Sequence, residues 1–261
     1  MDNLKEREVF CIAIIPARYD STRLPGKPLI DINGKPMIQR VWENISKSKI
    51  LHTVYIATDD KRVEQVCKSF GANVVMTPKN LLSGTDRIAY VVRTLDLLDD
   101  IIVNIQGDEP LVNSKLIDDM IINFSTSLCE VGTIIKKIDS VEDLENPNCV
   151  KVTIKNDYTA LYFSRSPIPY VRDTDKSQWL KGQTFWKHIG IYAYRSHALE
   201  RFTQLPQTDL ELSENLEQLR LMQNDDKYYC FPTKDQIIGV DTQEDLERVR
   251  EIIKFRTKTM T

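Results

Sequence analysis

Two hydrophobic rhythms alternate along the first half of this chain. Val9-Phe10-Cys11-Ile12-Ala13-Ile14-Ile15 is an unbroken apolar run, the pattern of a buried parallel strand. Met37 to Ile50 carries Met37, Ile38, Val41, Trp42 and Ile45 at helical spacing, from a start near Pro36. Thr53 to Ala57 reads as a short strand. Asp59 or Asp60 can cap the next helix, which runs to about Phe70 with Gly71 at its C-cap. Asn73 to Met76 is a strand and Thr77 to Thr85 a loop. A helix follows with Ile88, Ala89, Val91, Val92 and Leu95, and then the fully apolar strand Ile101 to Ile105. This strand–helix order predicts an α/β fold with a Rossmann-like, doubly wound parallel sheet and right-handed crossovers.

The pattern changes after a helix over Ser114 to Ser125. Val131 to Lys137, Val150 to Lys155 and Leu161 to Phe163 read as strands without full-length helices between them. Asn156-Asp157 suits a hairpin turn. Trp179 to Phe185 has little periodicity and reads as a mobile or subunit-contacting loop, and Lys187 to Arg195 as a strand with His188 at its start. An antiparallel element is therefore inserted, and the sheet is mixed. Ser213 to Asn224 reads as a helix, Tyr228 to Pro232 as a strand, and Ile237 to Val240 as an apolar run. Gln243 to Phe255 closes as an amphipathic helix opened by a Thr242–Asp245 capping box.

The candidate chemistry lies where strands end. PARYDSTRLPGKPL, Pro16 to Leu29, places Arg18, Arg23 and Lys27 in one loop after the first strand. Ligands bind at the carboxyl ends of strands in open α/β sheets, and such a cluster suits polyphosphate. A solvated basic loop is the alternative. Neither GxxxxGK[ST] nor GxGxxG is present. The strand Ile101 to Ile105 runs into Gln106-Gly107-Asp108-Glu109-Pro110. Its carboxylates can hold a divalent cation or merely cap a turn. Asp241, just before the last helix, is a second candidate ligand or a turn residue. His188 can meet an anionic substrate or serve the core. Arg165 can bind a carboxylate or lie on the surface. Glu211, Glu214 and Glu217 read as a solvated helix face.

Composition narrows the classes. With 261 residues, 41% hydrophobic and 28% charged, the chain can bury a sizeable core. A net charge of −3 argues against a bulk nucleic-acid binder. The five cysteines have no CxxC pair, so neither a zinc site nor a disulfide framework is expected. The charged start MDNLKEREVF lacks a signal peptide's apolar core, and no run approaches a membrane span. A cytoplasmic location without membrane attachment is expected.

Taken together, these segments resemble a known family. IIPARYDSTRLPGKPL, DINGKPMI, ATDD, SGTDR, VNIQGDEPL, NPNCVKV, ALYFSRSPIP, KHIGIYAYR, LEQLR and GVDTQEDLERVR follow the order and spacing of the 3-deoxy-manno-octulosonate (KDO) cytidylyltransferases over about Val9 to Ile253. Asp86, Ser166 and Gln243 stand where the family often has Glu, Ala and Pro. The resemblance implies a glycosyltransferase-A-like nucleotidyltransferase with an inserted antiparallel sugar-binding and dimerisation element. One domain over 1–261 would divide into a nucleotide-binding half (about 9–125), a sugar-binding and dimerisation part (about 130–232) and a returning strand–helix (about 237–255).

The implied reaction is CTP plus KDO to CMP-KDO plus diphosphate, for lipopolysaccharide biosynthesis. Arg18, Arg23 and Lys27 would hold the triphosphate. Ala17, Thr77, Pro78, Ser83 and Gly84 would line the cytosine and ribose, with Gln106 shared between nucleotide and sugar. Asp108 and Asp241 would ligate Mg²⁺. Arg165, His188, Tyr192, Glu217 and Gln218 would take the sugar, in a homodimer. A sialic acid or 8-amino-8-deoxy-KDO is the nearest rival substrate. A non-catalytic protein of this fold is disfavoured by the joint presence of Lys27, Asp108 and Asp241. A nicotinamide-dependent oxidoreductase is disfavoured by the missing glycine fingerprint.

Overall fold

The computed structural model describes residues 10–20, 24–81, 83–97 and 101–259, with the side chains of the last helix described to Arg256. The chain forms two compact units. One comprises the residues up to Asp118, Arg195–His197 and the chain from Ile237; the other comprises Asp119–Tyr194 and Ala198–Gln236.

The first unit opens with β1 (Cys11–Pro16), a 3-10 turn at Lys27–Leu29, a ribbon of β2 (Asp31–Ile32) and β3 (Lys35–Pro36), and α1 (Met37–Ile45). It continues through β4 (Thr53–Thr58), α2 (Lys61–Ser69), β5 (Asn73–Met76), α3 (Gly84–Thr94), β6 (Ile101–Asn104) and the start of α4 (Ser114–Ser125). The ribbon turns on Asn33 and Gly34, both at positive φ, the turn that Asn-Gly favours. Asp60, not Asp59, caps α2 by accepting from the Arg62 amide at 2.8 Å. β1 pairs in parallel with β4 on one side and β6 on the other, and β5 lies beyond β4. Ranked by chain position, these strands stand third, second, first, fourth. The order therefore reverses between β1 and β6, the switch point where open α/β sheets bind ligands. β1 and β6 are buried along their lengths except at Pro16, as their apolar runs require.

The second unit contains β7 (Val131–Lys137), α5 (Val141–Glu145), β8 (Lys151–Ile154), β9 (Ala160–Ser164), α6 (Trp179–Gly182) and β10 (Trp186–Arg195). After these come α7 (Ser196–Gln204), α8 (Asp209–Glu214), α9 (Gln218–Gln223) and β11 (Tyr228–Thr233). β10 pairs antiparallel with β7 and β8, β8 pairs antiparallel with β9, and β11 runs parallel to β7. The fold is the expected mixed α/β arrangement.

Three expectations are corrected here. Trp179 to Phe185, read as a mobile or subunit-contacting loop, begins with a short helix and is pinned at both ends: Trp179 and Phe185 are buried and stacked, in a cluster with Ile138 and Leu144, while 181–184 are exposed. The single helix over 213–224 is two, because Asn215 adopts φ 51° and ends α8. The glutamates there are not a solvated face. Glu211 is buried against Arg220, and Glu214 accepts from Ser164 Oγ at 2.6 Å and the Arg165 amide at 2.9 Å.

The closing helix α10 (Gln243–Thr259) begins at the expected box. The Thr242 amide donates to Asp245 Oδ2 at 2.9 Å, and the Asp245 amide to Thr242 Oγ1 at 3.1 Å. The run before it, 237–240, forms no strand. Val240 instead joins Ile32, Met37, Leu111, Leu246 and Val249 in one apolar cluster. Arg250 Nη2 donates to the Asp31 carbonyl at 2.7 Å and Asn33 Nδ2 to the Arg250 carbonyl at 2.8 Å. These bonds fasten α10 to the ribbon that follows the basic loop. Among the described residues, no helix is long and apolar enough to cross a membrane, and none of the five cysteines forms a disulfide.

Candidate active site

The basic loop leaves β1 at Pro16, and the Ala17 amide extends the parallel ladder by donating to the Ala57 carbonyl at 2.8 Å. Arg18 Nη2 donates to the Leu81 carbonyl at 2.5 Å and the Ser83 carbonyl at 3.3 Å. The guanidinium is thereby tied to the loop that opens α3. The Arg62 guanidinium lies over the Tyr19 ring, 3.4 Å from its centre. Gly26 sits at φ 69°, and a Cβ there would come within 3.1 Å of the Tyr19 hydroxyl. Glycine is needed here for conformation and for space. Val9 and Arg23, with Ser21 and Thr22, lie outside the described residues.

Lys27 follows that glycine. Its Nζ donates to Asp108 Oδ2 at 2.5 Å and to Asp241 Oδ1 at 3.1 Å. Burial pulls the ammonium pKa down, but the charges of Asp108 and then Asp241 outweigh it, so the pKa is raised overall. The Val240 amide donates to the Asp108 carbonyl at 2.9 Å, so main-chain bonding holds the two aspartate segments together. Gly107 permits the close approach of β6 and β1 at this point, since a Cβ would lie 3.0 Å from the Pro16 carbonyl oxygen.

The predicted nucleotide residues gather beside the same strand ends. Thr77 Oγ1 donates to the Thr58 carbonyl at 3.1 Å and accepts from Arg87 Nη1. Ser83 caps α3, its hydroxyl accepting from the Asp86 amide at 3.0 Å while Asp86 Oδ2 accepts from the Ser83 amide at 3.1 Å. Asp86, though shorter than glutamate, thus closes a capping box with Ser83. A Cβ on Gly84 would lie 3.8 Å from Pro16 Cγ, which places the start of α3 against the end of β1. Pro78 is half-buried after Thr77. Gln106 Nε2 donates to the buried Asn104 Oδ1 at 3.2 Å.

Sequence reasoning assigned no role to Arg87. This arginine has no exposed surface and donates from Nη2 to Asp59 Oδ2 at 2.8 Å. The available signal was a charge on the face of α3 that also carries Val91, a position that must be paired if buried.

In the second unit, His188 Nε2 lies 3.0 Å from Thr133 Oγ1, and its ring centre is 5.2 Å from that of Tyr192. The residue keeps some accessible surface, yet packing around its ring pushes the imidazole pKa down to about 3 by desolvation. It is neutral near pH 7, so it can hydrogen-bond an anion but not ion-pair with one. The Tyr192 hydroxyl is pushed well up, first by burial and then by the charges of Tyr194 and Glu217. Gln218 is buried, and its Nε2 has no hydrogen-bond partner among the described residues. Arg165 donates to the carbonyls of Glu214, Pro147 and Asn215, which fixes its guanidinium beside the α8–α9 elbow.

Asp108 and Asp241 supply only oxygen, and both reach one cation, the Lys27 ammonium. The described residues contain no group of three or more His, Cys, Asp or Glu side chains placed for a metal. Mg²⁺ is commonly held by one or two carboxylates, completed by water and substrate phosphates. The two aspartates fit that pattern.

A model of the cytidylyltransferase family matches residues 12–228. The 3-deoxy-manno-octulosonate cytidylyltransferase of Parabacteroides distasonis is 48% identical over 249 residues, covering 94% of this chain and 98% of its own. That of Phocaeicola vulgatus is 45% identical over 248 residues, with 94% and 98% covered. Among solved structures, CMP:2-keto-3-deoxy-manno-octonic acid synthetase complexed with CTP superposes with a TM-score of 0.87 at 40% identity, over 95% of this chain and 99% of that one. A glucose-1-phosphate thymidylyltransferase structure from Bacillus anthracis, at 16% identity and TM-score 0.63, shares the fold. The strand order, the loop after β1 and these matches together place the chain in the cytidylyltransferase family, among the 3-deoxy-manno-octulosonate cytidylyltransferases.

Proposed function

We propose that this chain is a nucleotidyltransferase that converts CTP and 3-deoxy-manno-octulosonate to CMP-KDO and diphosphate. The observation that carries the reading is the convergence of Lys27, Asp108 and Asp241 at the switch point of a parallel sheet, in a chain of this family. The anomeric hydroxyl of the sugar attacks the α-phosphorus of CTP, and diphosphate leaves. Such a reaction asks little covalent chemistry of the protein; positioning and charge compensation carry it.

Arg18 and Lys27 hold the triphosphate and offset the charge that grows on the leaving diphosphate, with Arg23 added from the same loop. Ala17, Thr77, Pro78, Ser83, Gly84 and Gln106 are the proposed cytidine contacts. The Ser83 hydroxyl is engaged in capping α3, so Ser83 and Gly84 act through their main chain. Asp108 and Asp241 would hold Mg²⁺, which, when bound, lowers the pKa of the attacking hydroxyl and screens the phosphate. Arg165, His188, Tyr192, Glu217 and Gln218 are the proposed sugar contacts. The orphan amide of buried Gln218 supports that role, because a buried donor without a partner is costly unless a ligand satisfies it.

We also propose a homodimer in the cytoplasm that supplies lipopolysaccharide biosynthesis. A second copy would cover exposed apolar side chains of the second unit such as Leu161 and Leu212, and five cysteines without a disulfide suit a reducing compartment. Light scattering at micromolar concentration reads the subunit number. Diphosphate release with CTP, Mg²⁺ and a panel of acidic sugars tests the reaction. KDO is expected to be the preferred substrate. Higher turnover with 8-amino-8-deoxy-KDO or a sialic acid would reassign the sugar, and no release with any of them would overturn the reading.

A further inference from the structure

Lys27 grips both carboxylates of the proposed metal site at once, at 2.5 Å from Asp108 Oδ2 and 3.1 Å from Asp241 Oδ1. The proposed function assigns that same lysine to the triphosphate and the same two carboxylates to Mg²⁺. One conformation serves both assignments poorly, because an ammonium and a metal ion held by the same two carboxylates repel each other.

We propose that Lys27 is a stand-in cation: in the nucleotide-free enzyme it holds Asp108 and Asp241 in place, and it departs to the triphosphate as the metal takes its seat. This rests on the assignment of Asp108 and Asp241 as metal ligands made above. The ligand positions do not depend on the lysine alone, since the Val240 amide bonds the Asp108 carbonyl at 2.9 Å and Thr242 begins the box that starts α10. The carboxylates therefore stay near each other when the ammonium leaves. The lysine can leave without backbone change. It rides at the start of a single 3-10 turn behind Gly26, and its four-carbon stem lets Nζ swing to a nearby oxygen anion.

The exchange has a thermodynamic consequence. Nucleotide without metal draws Lys27 away and leaves two anions facing each other. Metal without nucleotide must evict the ammonium and leave it unpaired. Each ligand thus favours the other beyond any direct metal–phosphate bond, and the coupling is reciprocal.

The test is Mn²⁺ binding to nucleotide-free protein, read by the electron paramagnetic resonance signal of free Mn²⁺. Lys27→Met is expected to bind Mn²⁺ at least about tenfold more tightly than the parent, within the usual range of coupling between sites. Lys27→Gln should do the same if the methionine variant folds poorly. Arg18→Met, which removes a charge from the same loop but not from the carboxylates, should change affinity by less than about twofold, as expected for a separated and screened charge. Asp108→Asn added to Lys27→Met should abolish the gain. Equal gains in the Lys27 and Arg18 variants would assign the effect to net charge and overturn the proposal. No gain in either Lys27 variant would also overturn it, while weaker Mn²⁺ binding by CTP-bound Asp108→Asn than by the CTP-bound parent would leave the metal site standing. Mn²⁺ binding by CTP-bound Asp108→Asn as tight as by the CTP-bound parent, with both tighter than by free CTP, would bring down the metal assignment itself and the stand-in role with it.

Discussion

Arg87, with no solvent-exposed surface, donates from helix α3 to Asp59 at the end of β4, 2.8 Å away. A charge this deep is tolerated only while paired. Arg87→Leu strands Asp59, whose side chain is 14% exposed, and releases Thr77. Breaking a buried pair costs about 3–5 kcal/mol, so urea unfolding should show a loss of that order. Arg87→Lys should recover little, because an ammonium cannot serve Asp59 and Thr77 with a planar fork. A loss below about 1 kcal/mol, the range of exposed ion pairs, would contradict the assignment.

The basic loop is expected to act mainly in catalysis. Arg18→Ala and Lys27→Ala should each lower turnover by about a hundredfold or more, about 3 kcal/mol, as for other preorganised charge stabilisers. The urea midpoint should move little for Arg18→Ala and fall for Lys27→Ala, which leaves Asp108 and Asp241 facing each other without their shared cation. Near-parental turnover in the purified variants would end the phosphate-loop reading.

The two aspartates should behave as one unit. Laid end to end, the 2.5 and 3.1 Å bonds to Lys27 bound the separation of Asp108 Oδ2 and Asp241 Oδ1 at 5.6 Å, close enough for modest rotation to bring them to one ion. Asp108→Asn and Asp241→Asn should each remove most activity, and the double variant should be little worse than either single. Additive losses, measured as kcat/KM, would assign the carboxylates to separate tasks.

His188 predicts an acid limb in stability. Its pKa falls from 6.5 to about 3 on folding, through desolvation. Between those values the unfolded chain binds a proton that the native chain refuses, so stability falls as pH drops and is fully present above the unfolded value. The contribution to the slope approaches about 1.4 kcal/mol per pH unit within that window. His188→Gln should flatten the urea-midpoint profile between pH 6 and 4 relative to the parent. Parallel profiles for the two proteins would show that His188 titrates normally.

The elements with strong periodicity were legible before the structure: the apolar run of β1, the run of β6, and the amphipathic α10 with its Thr242–Asp245 box. Their signals are local. What escaped depends on distant partners. Trp179 and Phe185 have no rhythm in sequence because their neighbours, Ile138 and Leu144, arrive from elsewhere in the unit. The run 237–240 has strand composition but spends its apolar side chains on the cluster around Val240. Glu211 looked solvated because Arg220, nine residues on, is reached only after the turn at Asn215. Of the site, the charged loop and Asp108 were visible as strand-end chemistry and Asp241 as a carboxylate just before the last helix, although the run ahead of it is not a strand. The bridging posture of Lys27 was not, since a sequence gives residue types but no distances.

The sequence separation of 214 between Lys27 and Asp241 also sets a timetable for biosynthesis. A ribosome releases Lys27 and Asp108 well before Asp241, and pairings this remote form slowly because a long loop must first be closed. Until Val240, Leu246 and Val249 arrive, Ile32, Met37 and Leu111 lack the apolar cover they have in the finished fold. A growing chain thus presents a sticky patch that only its own last helix can cover. Covering that patch and bringing Asp241 to Lys27 draw on the same segment, so a nascent chain halted short of Val240 has neither the apolar cover nor the Lys27–Asp241 pair.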